Sequence, residues 1–268
     1  RTNEQRIVTL TWRDTPPLQE KYRIQLDGKR MRAREQEEEE KQRNTLNHWE
    51  KKMFKHNTVY KEKYSWPEER LLSPSRILDR TSDKSFLEKW RRKIGNEEAD
   101  RIVAHSIAVG KSMHTYLERK IKNKKGALLL AGDPNTAMAT KLADLIIKKG
   151  LKDKLQEVWG VEAHLHFGNY YRGIADLIGI YEDEPCIIDF KQKRKPQLEH
   201  YDSIKNYFTQ MAAYGMAHNR MCKTKIRKGV VLIATHDRKF QTFTIKGDSW
   251  RKHCRDFFSR LKTCMKED

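Results

Sequence analysis

The stretch GIADLIGIYEDEPCIIDFK, residues 173–191, contains two β-rich runs that are separated by the polar segment EDEP. Two such runs around a short turn predict a β-hairpin. The register that pairs Tyr181 with Cys186 places Asp176 opposite Lys191. The predicted hairpin contains the residues from which we infer the fold class and the chemistry of the protein.

The predicted hairpin gathers charge on one face. Residues directly opposite each other, and residues two apart on one strand, share a face of the sheet. We therefore expect Asp176, Asp189 and Lys191 to crowd one patch, whereas a slip of one residue would turn Asp176 away. Two neighbouring carboxylates repel unless a cation joins them, and their oxygens suit Mg²⁺ or Mn²⁺. A lysine beside the metal can orient or deprotonate an attacking water, as phosphodiester hydrolysis requires.

The pattern Asp-x-Lys is weak by itself, because it occurs three times in this chain. The copies are Asp27-Gly28-Lys29, Asp189-Phe190-Lys191 and Asp237-Arg238-Lys239. Only the second copy follows a β-rich run and has another acid on the adjacent strand. We therefore place the site there.

Periodicity predicts an α/β fold with a mixed central sheet flanked by helices. Helical segments come first, and three strands, a helix, two strands and a last helix follow after Gly150. Residues 1–60 are predicted to form an N-terminal extension, with a weak hairpin over residues 1–30 and a charged helix over 33–56. Residues 61–268 form the main predicted domain.

The net charge of +19, from 56 Lys and Arg against 37 Asp and Glu, favours a polyanionic partner such as DNA. A soluble basic protein and a membrane-surface binder are the alternatives. No apolar run approaches the ~18 residues of a membrane span, and the N-terminus lacks the apolar core of a signal peptide, so we expect an intracellular protein without a membrane. Four cysteines without a C-x-x-C pair predict reduced thiols and no iron–sulfur cluster.

Two helical pairs add to the hairpin. His114 and Glu118 are four residues apart on a long predicted helix, and Gln210 and Tyr214 are four apart on the helix after the Asp-x-Lys strand. A satisfied surface histidine and an ordinary amphipathic helix explain these pairs equally simply. Glu162 is a candidate ligand, a supporting acid or an exposed strand residue.

The ordered set G-x-x-x-H on a helix, a strand Asp, Asp-x-Lys and Q-x-x-x-Y resembles the RecB-type branch of the PD-(D/E)XK nucleases. Within that branch it is most similar to the mitochondrial genome maintenance exonucleases and their phage relatives. The likeness runs over most of residues 70–220. It implies a restriction-endonuclease-like core with a helical cover over about residues 70–125, and Mg²⁺ or Mn²⁺ as cofactor.

The resemblance also implies roles for individual residues. The implied metal ligands are His114, Asp176, Asp189 and the Phe190 carbonyl. The implied catalytic residues are Lys191, Asp189, Asp176 and Gln210, and Glu118 and Glu162 are candidate supporting acids. The residues assigned to nucleic-acid binding are Ser73, Ser75, Lys111, Arg172, Lys193, Arg194 and Tyr214. A helix N-cap explains the two serines equally well, and a solvated loop explains the basic run after Lys191.

The sequence thus predicts a metal-dependent DNA exonuclease that acts on single-stranded DNA or DNA ends, in replication, recombination or repair. Host cytoplasm is expected for a phage protein, and the mitochondrial matrix for an organellar one. A structure-specific endonuclease with the same site is the alternative within enzymes. A non-catalytic DNA-binding or packaging protein is the alternative outside them.

Overall fold

A computed structural model describes residues 33–34, 36–37, 54–68, 70–122, 134–198 and 202–267. The chain divides into two compact units, Arg1–Trp49 and Glu50–Asp268. In the first unit the described residues are helical, as predicted for that segment, and the predicted hairpin over residues 1–30 lies outside the described residues. The second unit begins earlier than the predicted boundary at residue 61.

A six-stranded mixed sheet organises the second unit and confirms the predicted α/β class. Its strands follow each other in sheet order as they do in the chain: β1 Lys55–His56, β2 Leu155–Phe167, β3 Tyr171–Tyr181, β4 Glu184–Lys193, β5 Lys228–Thr235 and β6 Phe240–Lys246. The β1–β2 and β4–β5 pairs are parallel and the other three are antiparallel. Strand β1 corrects the prediction of a charged helix over 33–56, because its two residues pair with β2 instead of extending the helix.

The helices described between residues 70 and 267 are α1 Pro74–Arg80, α2 Ser85–Ile94, α3 Asn96–Ile121, α4 Pro134–Ile146, α5 Asp202–Cys222 and α6 Gly247–Glu267. Helix α1 begins where Ser73 accepts a hydrogen bond from the Arg76 N–H, with Pro74 in the first turn. Gly95, at a φ of 86°, separates α2 from α3. Among the described residues, no helix is long and apolar enough to cross a membrane.

The helices form a layer on each side of the sheet. Residues of α1, α5 and α6 share one core with β-strand residues, and this core includes Val231 and Ile233 of β5. Helix α4 packs on β5 and on α3, and the π-helical turn Ile147–Leu151 after α4 meets Leu232. Strand β5 is buried along its whole length, as expected for an apolar strand that is covered on both faces.

The β3–β4 hairpin has a different register from the one predicted. Tyr181 pairs with Glu184, and Gly179 pairs with Cys186. The turn therefore contains only Glu182 and Asp183, at φ values of 49° and 64°, as a tight two-residue hairpin turn requires.

Contacts from two lysines hold this turn. Lys154 and Lys228 lie 3.3 and 3.4 Å from the Glu182 carboxylate, and Lys228 donates to the Tyr181 carbonyl at 3.0 Å. These contacts favour a left-handed conformation that glutamate rarely adopts. The observed register differs from the predicted one by two residues. Because side chains alternate between faces with a period of two, Asp176, Asp189 and Lys191 still share a face.

Two helical glycines test the packing with one type of substitution. An added Cβ at Gly215 of α5 would lie 2.6 Å from the indole of buried Trp250, whereas one at Gly110 of α3 would meet nothing within 4 Å. We expect Gly110→Ala to raise the free energy of unfolding by about 0.5–1 kcal/mol through helix propensity. We expect Gly215→Ala to lower it by about 1–2 kcal/mol, since overpacking outweighs that gain. Urea unfolding measures both, and an equal sign for the two variants would contradict this packing.

Candidate active site

The candidate site lies where the sheet forks. The β3–β4 pairing ends at Leu177 and Ile188. Beyond this point β3 stays paired with β2, and β4 stays paired with β5. Continuing the register by one step sets Asp176 beside Asp189, one on each branch. The fork therefore holds the two acids that the sequence singled out.

Strand divergence exposes the polar backbone of Phe190, and side chains take its hydrogen bonds. The Phe190 N–H donates to Asp176 Oδ2 at 2.8 Å, and His114 Nε2 lies 3.0 Å from the Phe190 carbonyl oxygen. A buried backbone group without a partner is costly, so both contacts stabilise the fork. The same contacts fix two candidate ligands in place.

Helix α3 brings His114 into the fork. Its Nδ1 lies 3.6 Å from Asp176 Oδ1 and 3.8 Å from Glu162 Oε1. Burial by itself would lower the pKa of His114, but the charge of Asp176 and the contact with Glu162 outweigh it, so the pKa is raised. The predicted helix therefore delivers its histidine to two carboxylates.

Glu162 was predicted as a supporting acid or a candidate ligand, and the structure sets it beside His114. It lies on β2 and has a φ of 50°, which is strained for a non-glycine residue inside a strand. The β2–β3 register sets Val161 opposite Leu177 and Ala163 opposite Ala175, so Glu162 faces Asp176. Strain of this kind clusters at functional sites.

The ligand atoms of His114, Glu162 and Asp176 lie within 4.8 Å of one another. An imidazole and two carboxylates suit Mn²⁺ and Mg²⁺. All three side chains are partly exposed, at 29%, 31% and 13%, so the group is open on one side. The donor set therefore fits a divalent cation that must also reach a substrate.

Asp189 and Lys191 form an ion pair next to this group. Lys191 Nζ lies 2.6 Å from Asp189 Oδ2, and the Asp189 side chain is 3% exposed. Burial raises the pKa of Asp189 to about 6 against the opposing charge of Lys191. Burial lowers the pKa of Lys191, but the charges of Asp189 and Asp176 outweigh it, so the pKa is raised and the lysine is positively charged. In this structure Asp189 contacts Lys191, and the Phe190 carbonyl contacts His114. Their role as metal ligands stays a prediction.

Helix α5 contributes a hydrogen-bonded pair of side chains near the site. Gln210 donates to the Tyr214 hydroxyl at 3.0 Å, and Tyr214 is buried against Gly173 of β3. Burial raises the pKa of Tyr214, although the hydrogen bond from Gln210 opposes this.

Sequence reasoning missed Tyr207 of the same helix. Its ring lies 5.0 Å from Lys191 Nζ and 5.3 Å from Lys193 Nζ. The spacing of residues 207, 210 and 214 along one helix face was the signal that could have found it.

The residues assigned to nucleic acid lie on several elements: α1 and its N-cap, α3, β3 and the end of β4. Ser73 caps α1, as the structural alternative expected, and its hydroxyl lies 2.9 Å from that of Ser75. The start of α1 adjoins β3, because the Arg172 N–H donates to the Leu72 carbonyl at 3.1 Å. Lys111 and Arg194 are exposed.

Two neighbours have structural contacts. Glu118 pairs with Lys122 at 2.8 Å and is outside the group of ligand atoms. Gln192 joins two elements, since its amide donates to Ser106 of α3 and its carbonyl oxygen lies 2.7 Å from His236 Nε2. It therefore ties the helix that carries His114 to the strand that carries Lys191.

Glu162 and Glu118 make a matched pair for testing the metal site. Glu162→Gln removes a charged oxygen ligand, so we expect the dissociation constant for Mn²⁺ to rise by about tenfold or more. Glu118→Gln leaves the ligand group intact, and we expect a change within about twofold. Calorimetric titration of both variants and the wild type measures this. Equal losses, or no binding by the wild type, would contradict the assignment.

Comparison with known proteins agrees with the resemblance seen in the sequence. The chain is 25% identical over 178 residues to mitochondrial genome maintenance exonuclease 1 of Xenopus tropicalis. This match covers 62% of the chain and 48% of the relative, so the chain spans about half the length of the relative. No protein-family model matches the chain.

Two solved structures are also similar. A proposed exonuclease from Eubacterium rectale has a TM-score of 0.41 and 11% identity, over 59% of this chain and 66% of that chain. A second structure has a TM-score of 0.34 and 12% identity, over 81% of this chain and 85% of that chain. Both scores are too low to infer a shared fold. The sequence similarity is what confirms that this chain resembles a genome maintenance exonuclease.

Proposed function

We propose that this protein is a Mg²⁺- or Mn²⁺-dependent nuclease of the PD-(D/E)XK type that hydrolyses DNA, as an exonuclease on single strands or ends. The observation that carries the proposal is the convergence of His114, Glu162 and Asp176 next to the Asp189–Lys191 pair. The similarity to a genome maintenance exonuclease supports it. We also propose that residues 61–268 form the nuclease domain, with a helical cover over about residues 70–125.

His114, Glu162 and Asp176 would hold the metal, and Asp189 and the Phe190 carbonyl lie beside them. The mixed donor set and the open side of the group fit a cation that keeps waters and engages phosphate oxygens. When bound, such an ion polarises a phosphoryl oxygen and acidifies water. The histidine makes Mn²⁺ at least as suitable as Mg²⁺.

Lys191 supplies positive charge where the phosphodiester gains negative charge during attack. Its ammonium is held by Asp189 at 2.6 Å and by the Tyr207 ring at 5.0 Å, so little reorganisation is needed during the reaction. A charged lysine can orient the attacking water by hydrogen bonding but cannot accept its proton. Gln210 and Tyr214 would support this arrangement from α5.

The net charge of +19 favours DNA as the polyanionic partner. Six polar residues around the fork would contact its phosphates: Ser73, Ser75, Lys111, Arg172, Lys193 and Arg194. The protein would then act in a compartment that contains DNA, as the name of the mitochondrial relative suggests. We expect neither a membrane nor an iron–sulfur cluster to take part in this activity.

The Asp-x-Lys copies give a matched test of catalysis. Lys191→Ala removes the cation that pairs with Asp189, and we expect cleavage of labelled single-stranded DNA in Mn²⁺ or Mg²⁺ to fall by about 10²-fold or more. Lys239→Ala alters the same pattern in the β5–β6 turn, where the lysine side chain is 66% exposed, and should leave the rate unchanged. Wild-type protein without cleavage activity, or equal rates for the two variants, would contradict the proposal.

Circular single-stranded DNA separates the two enzyme alternatives. An exonuclease needs an end, so we expect the linear strand to be digested and the circle of the same sequence to survive. Gel analysis over one time course measures both. Digestion of the circle at a similar rate would favour a structure-specific endonuclease. Salt-sensitive binding that is unchanged in Asp189→Ala, without cleavage, would favour a non-catalytic DNA-binding protein.

A further inference from the structure

Trp66, His164 and Arg172 form a stacked cluster on the outer surface of the β2–β3 hairpin. We infer that this cluster is a platform on which an unpaired nucleobase of the cleaved strand stacks. The inference rests on the proposed function, because it takes the substrate to be a nucleic-acid strand. It adds a binding subsite outside the metal and lysine groups.

The platform shares a sheet face with the candidate metal ligands. Glu162 and His164 alternate with the buried residues of β2, and Asp176 and Arg172 do the same on β3. The register pairs His164 with Ile174, and His166 with Arg172. At about 3.3 Å per residue, these two rows lie about 7 and 13 Å from the Glu162–Asp176 row. A strand whose phosphate lies at the fork would therefore bring a neighbouring nucleotide over the platform.

The three side chains stack closely. The Trp66 and His164 ring centroids are 4.4 Å apart, with 25° between the planes. The Arg172 guanidinium carbon lies 4.5 Å from the Trp66 ring centroid. Aromatic faces and guanidinium planes are the groups on which nucleobases stack without regard to sequence. Trp66 is 43% exposed, so part of its indole is accessible to a ligand.

Hydrogen bonds of the residues before and after Trp66 in the chain hold its segment in place before any ligand binds. The Tyr64 hydroxyl donates to the Trp159 carbonyl at 3.3 Å and lies 3.2 Å from His218 Nε2. On the other side, Arg172 Nη1 donates to the Pro67 carbonyl at 3.4 Å. A fixed aromatic surface loses little conformational entropy on binding, which favours affinity.

A cleft with more positive charge continues beyond the platform. Ser65, the neighbour of Trp66, and His166, the next outward residue of β2, line it together with Lys63 and Arg220. Its one acid is Glu62. Stacking groups beside cationic groups are the combination that tracks an unpaired strand, since one binds bases and the other binds phosphates.

Binding measurements on bases and on backbone alone test the platform. Fluorescence anisotropy in EDTA compares wild type, Trp66→Ala and Trp66→Phe on a short oligothymidylate and on an abasic sugar-phosphate chain of equal length. We expect Trp66→Ala to weaken binding of the oligothymidylate about tenfold, and of the abasic chain less than about twofold. Trp66→Phe keeps a stacking ring and should stay within about threefold of wild type. Met265→Ala is the control, because this exposed apolar side chain lies near the C-terminal end of α6 and should change neither affinity.

The outcomes separate the platform from the nuclease. Cleavage in Mn²⁺ with unchanged oligothymidylate binding by a folded Trp66→Ala protein would overturn the platform and leave the nuclease in place. Equal losses on both chains would also overturn it, since the tryptophan would then act on the backbone or the fold. A base-dependent loss without cleavage would support the platform and refute the nuclease. Binding of neither chain by the wild type would overturn both. Oligouridylate in parallel shows whether DNA or RNA is the better source of the base.

Discussion

The active-site arrangement depends on one constraint: the N–H and C=O of Phe190 must find partners after β3 leaves β4. In a continuous sheet β3 would supply them, but the pairing stops at Leu177 and Ile188. Asp176 and His114 take over these hydrogen bonds, so two side chains are fixed at the fork by backbone energetics. The loss of strand pairing thus leaves these side chains, rather than a neighbouring strand, beside Phe190.

The negative charge of Asp189 at the fork is balanced by a neighbouring lysine rather than by solvent. Asp189 is almost fully buried and next to Asp176, so its carboxylate is poorly solvated and repelled. Lys191, two residues along the same strand, offsets part of both effects through an ion pair. Breaking such a pair leaves a buried charge without compensation, which is more costly than the pair is stabilising. The lysine therefore supports the folded site as well as the proposed chemistry.

The sequence predicted the helices and strands well, and the contacts between them less well. Alternation in β3 and the apolar run of β5 need no tertiary information, since burial on one or two faces dictates them. The predicted hairpin register was wrong by two residues. The observed turn requires left-handed conformations of Glu182 and Asp183, which their residue types alone do not predict. The predicted face survived, since a side chain alternates with period two. The stacking of Trp66 with His164 and Arg172 could not be placed from the sequence, because these residues come from segments far apart in the chain.

Part of the proposed platform and two of the candidate metal ligands share the β2–β3 hairpin. Glu162 and His164 are two residues apart on β2, so a change that shifts the platform also shifts a candidate metal ligand. Gln192 ties β4 to α3 in the same way, and through it Lys191 and His114 keep a common frame. Sites that are built on strands and helices hold their groups more precisely than sites on loops. The geometry of the candidate site thus depends on how the paired strands β2 and β3 separate from β4, and the residues at that separation are the ones to which we assign the proposed chemistry.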